Sequence, residues 1–75
     1  MSGGVAHDVG TVNLVRMSNQ IASNFEHLPT KDAAEAVAQH LHSFWAPSML
    51  ADLTRYLDAG GEGLDDVVVA AVRSL

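Results

Sequence analysis

The apolar positions Leu14, Met17, Ile21, Phe25 and Leu28 recur every three or four residues, with Arg16, Asn19, Gln20, Ser23, Asn24 and Glu26 largely off their line. This is the spacing of one face of an α-helix and predicts a first helix over about residues 12–27. Thr11 stands where its hydroxyl could accept from an early helical N–H. Pro29 ends the run, because the residue before a proline avoids the helical region. A second, wider stripe follows in Ala33, Ala36, Val37, His40, Leu41, Phe44 and Trp45. Thr30 or Asp32 could cap it, and Asp32 with Glu35 has capping-box spacing. Pro47 breaks the second helix and suits the first turn of a third, where its missing N–H costs nothing. Met49, Leu50, Leu53, Tyr56 and Leu57 form the third apolar face. Gly60 and Gly61 end it, and Gly63 extends the turn. Asp65 or Asp66 could cap a short last helix bearing Leu64, Val68, Val72 and Leu75. The run Val67-Val68-Val69 has strand propensity, but a lone strand would have no mate, so a helix is expected there. Residues 1–10, with Gly3, Gly4 and Gly10, read as a flexible tail, and residues 11–75 as a single helical domain without repeats. The expected fold is all-α, a small bundle of three helices plus a short C-terminal fourth.

Size sharpens this picture. A chain of 75 residues buries roughly 60% of the surface its unfolded form exposes, so its own core is marginal. Small domains usually add disulfides, a structural metal or a partner. The chain has no cysteine, which removes disulfides and thiolate zinc sites and fits a reducing cytoplasm. A partner surface is then the natural support. Four Lys/Arg against nine Asp/Glu, a net charge of −5, cannot neutralise a phosphate backbone and do not suit an anionic membrane surface. No apolar run approaches the ~20 residues of a membrane span, and Met1 to Asp8 lack the cation and apolar stretch of a signal peptide. With 48% hydrophobic residues, intrinsic disorder is disfavoured.

Candidate chemistry is sparse. His40 and His42, two apart on a helix, point to different faces, unlike the i, i+4 pairs that hold zinc. They read as surface or packing residues, as do His7 and His27. Asp65-Asp66 reads as a helix start with favourable charge placement. No serine or threonine stands in a G-x-S-x-G elbow. Gly60-Gly61-Glu62-Gly63 lacks a preceding strand, and its acid would repel phosphate, so it is a turn. The adjacent aromatics Phe44 and Trp45 stand apart from these. A helix cannot bury both against one neighbour, so one can fill the core while the other faces a groove or a second protein. Equally, both could close the end of the bundle. Met17 and Met49 read as core gap-fillers.

Three segments carry a resemblance to a known family. They are Asn13-Leu14-Val15-Arg16-Met17-Ser18-Asn19-Gln20-Ile21 with Phe25, His40-Leu41-His42-Ser43-Phe44-Trp45-Ala46-Pro47-Ser48-Met49, and Tyr56-Leu57-Asp58-Ala59-Gly60-Gly61-Glu62-Gly63-Leu64. In order and spacing the chain resembles the delta subunit of cytoplasmic, NAD-dependent, molybdenum- or tungsten-containing formate dehydrogenases. The resemblance implies an accessory subunit with no catalytic residue and no cofactor or metal of its own. The catalytic alpha subunit would hold the bis-molybdopterin guanine dinucleotide (bis-MGD) and iron–sulfur clusters, and other subunits would carry FMN and NAD. Docking on the alpha subunit, in support of assembly or stability, is expected around Arg16, Asn19, Phe44, Trp45, Pro47 and Met49. Ser48 departs from the pattern, in which a basic residue is expected between the proline and the methionine, and this puts one expected salt bridge in doubt. The tail before Thr11 is longer than the family needs. Two other roles fit the same residues: a transient factor for molybdenum-cofactor insertion, and an unrelated helical adaptor.

Overall fold

The computed structural model describes the backbone of residues 2–75 and the side chains of residues 10–75. Every regular element among them is an α-helix: α1 (Ser2–Ser23), α2 (Thr30–Phe44), α3 (Pro47–Asp58) and α4 (Asp66–Arg73). The all-α architecture is the expected one.

Helix α1 differs at both ends from the expectation of residues 12–27. It begins at Ser2, so Thr11 lies inside it and caps nothing. Gly10 weakens a helix by roughly 0.5–1 kcal/mol relative to alanine but does not block one, and no proline intervenes. The tail expected over residues 1–10 falls, apart from Gly10, outside the residues whose side chains are described. At the other end α1 stops at Ser23, and the chain tightens into i→i−3 bonds, Asn24 N–H to Ile21 O at 3.1 Å, Phe25 to Ala22 at 3.0 Å and Leu28 to Phe25 at 3.0 Å. The apolar period runs through this turn, and Phe25 still packs on the core. Periodicity alone therefore could not locate the point where α1 gives way to this tighter turn.

The entry to α2 is set by Pro29 (φ −54°, ψ 149°), with no side-chain cap. Thr30 is already helical and Asp32 lies in the first turn, so neither reaches the cap position and the expected capping box is not made. Ala33, Ala34, Val37 and Leu41 form the buried face of α2. Its end shows how two adjacent aromatics part company. Phe44 is the last helical residue, whereas Trp45 (φ −93°, ψ 142°) is already extended. Ala46, extended as the residue before a proline must be, leads into Pro47 at the first turn of α3.

Helix α3 ends in a Schellman motif. The Gly61 N–H bonds to Tyr56 O and the Gly60 N–H to Leu57 O, each at 3.0 Å, and Gly60 and Gly61 take the positive φ this ending needs. A further turn, Leu64 N–H to Gly61 O at 3.1 Å, has Gly63 at its third position with φ 87°, the geometry of a type II turn. Asp65 then caps α4, its Oδ1 accepting from Val67 N–H at 2.9 Å. The cap and the burial of Val68, Ala71 and Val72 override the strand propensity of the three valines.

Helices α2 and α4 make the most extensive pairing, and α1 lies mainly across α3. Val37, Leu41, Leu53 and Val68 form the centre of the core, with Ala22, Ala71, Val72 and Trp45 around them. Ser18 is fully buried, and its hydroxyl donates to Val15 O at 3.0 Å within its own helix. That bond satisfies it without a partner on another helix.

Candidate docking surface

Among the described residues, the α2–α3 corner presents the most exposed large apolar side chain. Phe44 is 75% exposed, and Trp45 beside it only 8%. One turn back, His40 packs on the Phe44 ring with centroids 4.8 Å apart and planes tilted by 41°. The flanking sequence, from Ala36 to Ala51, contains no Asp, Glu, Lys or Arg, although Gln39, His42, Ser43, Phe44, Ala46, Pro47, Ser48 and Ala51 are exposed. Exposed aromatics without neighbouring charge are the composition of interface centres. The carbonyls of His42, Ser43 and Phe44 receive no backbone N–H from the described residues. Pro47 is one cause, since it has no N–H to offer Ser43.

The structure separates the six residues grouped on sequence grounds. Phe44 and Pro47 share the exposed corner. Trp45 turns into the core, because the chain leaves the helix at that residue. Met49 is half-buried and packs against the core, lining an open groove of about 580 Å³ between α1 and α3 with Leu14 and Tyr56. Arg16 is exposed on α1, its Nη2 donating to Asn13 Oδ1 at 3.2 Å. Asn19 is fully engaged inside the molecule: Nδ2 donates to Gly63 O at 2.8 Å, and Oδ1 accepts from Asp65 N–H at 2.8 Å. It pins the loop that follows α3, one length of that helix, about 18 Å, from the Phe44 corner. Of the two adjacent aromatics Phe44 is thus the exposed one and Trp45 the buried one, and Asn19 is a structural clamp. No period or motif could have revealed the clamp, which joins residues 44 and 46 positions apart.

Among the described residues no group of three or more His, Asp or Glu side chains is placed to hold a metal ion. His40 is engaged with Phe44, and His27 and His42 are exposed. Asp65 caps α4 and Asp66 opens it. Tyr56 donates its hydroxyl to Glu62 O, and Arg55 pairs with Asp52 in the exposed part of the groove. No helix among the described residues is long and apolar enough to cross a membrane.

These features define a small all-α protein whose distinctive chemistry lies on an exposed corner. Residues 13–72 match the family described as NADH-dependent formate dehydrogenase delta subunit FdsD. The chain belongs to this family, the one to which its three sequence segments pointed. No curated protein and no solved structure matches it. The matched span takes in the second half of α1, all of α2 and α3, and α4 to Val72.

Proposed function

We propose that this chain is a non-catalytic subunit that docks on the catalytic alpha subunit of a cytoplasmic NAD-dependent formate dehydrogenase and supports its folded, cofactor-loaded form. Phe44 carries the reading: a large ring left 75% exposed in a stretch, residues 36–51, without Asp, Glu, Lys or Arg has the composition of an interface centre. Pro47 stiffens the same corner, and Met49 extends it toward the α1–α3 groove. Arg16 can supply a polar contact at a rim. The molybdenum or tungsten bis-MGD centre, the iron–sulfur clusters, FMN and the NAD site belong to the partner subunits. This chain acts on them through the equilibrium between loaded and unloaded protein. A subunit that binds only the native form stabilises it by mass action, about 2.7 kcal/mol when present at a hundred times its dissociation constant.

Expression of the complex with and without this chain tests the proposal. The preparation lacking it should hold less metal and lose activity at lower temperature, and the complete one should retain the small subunit in stoichiometric amount after purification. Equal metal content and equal heat resistance would overturn a stabilising role. Active enzyme free of the small band would overturn a permanent one.

A further inference from the structure

We infer that the Phe44 corner receives a cationic side chain, an arginine of the catalytic subunit, stacked on the exposed ring and hydrogen-bonded to the carbonyls that end α2. The inference rests on the docking proposed above and names its chemistry. An aromatic face is electronegative and attracts a cation. The C-terminus of a helix carries about half a negative charge, concentrated on carbonyls without donors. Here both occur together: the ring is exposed, and the carbonyls of His42, Ser43 and Phe44 lack backbone donors among the described residues.

The sequence flanking the corner, residues 36–51, supplies no lysine or arginine, and the whole chain has a net charge of −5. Among the described residues the ring's aromatic neighbour is His40. A purely apolar pocket closing over the corner would remove water from carbonyls that then have no donor, which is unfavourable. A carboxylate would meet negative partial charge from ring and helix alike. Guanidinium fits better than ammonium, because its plane stacks on a ring while its rim N–H groups reach acceptors beside it.

The test uses the full-length chain and the remaining subunits of the complex, purified without it, with affinity measured by calorimetry. Stepwise fluorination of the Phe44 ring withdraws electron density from its face and keeps its apolar bulk. Affinity should fall with each step, by about 2- to 30-fold over the series. Phe44→Trp, a stronger cation acceptor, should bind at least as well as the native chain. A flat series, or tighter binding on fluorination, overturns the inference. Phe44→Ala keeps that result separate from the docking itself: if it weakens binding while the series is flat, an apolar contact stands in place of the cation. If Phe44→Ala binds like the native chain, both the inference and the docking surface fall. Circular dichroism of each variant checks that the exposed position leaves the fold intact.

Discussion

Phe44 and Trp45 are covalent neighbours in opposite environments, and substitution should separate them cleanly. Trp45→Ala leaves a large cavity in the core and should cost about 3–5 kcal/mol, enough to unfold much of so small a domain. Phe44→Ala removes an exposed ring and should change stability by no more than about 0.5 kcal/mol, while weakening association with the alpha subunit by about 2 kcal/mol or more if the ring is a central anchor. Urea unfolding of the free chain and titration of the complex read the two effects independently. Asn19 gives a third outcome at this scale. Asn19→Ala removes the partner of Gly63 O and of the Asp65 N–H, both solvent-accessible, and should lower stability by about 0.5–1.5 kcal/mol. The urea midpoint should drop with the slope unchanged, and affinity for the partner should follow only through the lost folded fraction.

At the scale of elements, the loop between α3 and α4 is the most demanding piece of backbone. Gly61 has φ 62°, and an added Cβ would sit 2.8 Å from Leu57 Cδ1. Gly61→Ala should therefore destabilise by at least about 1–2 kcal/mol. Gly10, inside α1 with nothing within 4 Å of its would-be Cβ, should behave oppositely, Gly10→Ala raising stability by about 0.5–1 kcal/mol. Thermal unfolding of the pair checks both signs. The same elements show what can be read without coordinates. Helices α2, α3 and α4 were legible because Pro29, Pro47, Gly60, Gly61 and Asp65 act on the backbone within a residue or two of where they stand. The ends of α1 were not, because its start has no such signal and its apolar period continues into a tighter turn. The capping box at Asp32 failed for a related reason: Pro29 fixes the cap position three residues too early for it. At the corner, adjacency showed that Phe44 and Trp45 must diverge, but only the extended backbone at Trp45 decides which turns inward.

For the whole molecule, stability and partnership are linked. The core is centred on only four side chains, Val37, Leu41, Leu53 and Val68, with Ala22, Trp45, Ala71 and Val72 around them and partly buried side chains beyond. Such a core leaves a small margin, and docking widens it by the free energy of association. The isolated chain should accordingly melt well below the temperature at which it melts within the complex, and differential scanning calorimetry of both forms measures the gap. Loss of the Phe44 contact should narrow that gap without moving the melting of the free chain.

The buried indole has a practical consequence. Trp45 is the chain's only tryptophan, and it sits sealed beside the exposed Phe44 ring. Its fluorescence is thus a built-in thermometer of folding: blue emission marks a closed interior, and a red shift on warming marks entry of water, with no dye attached.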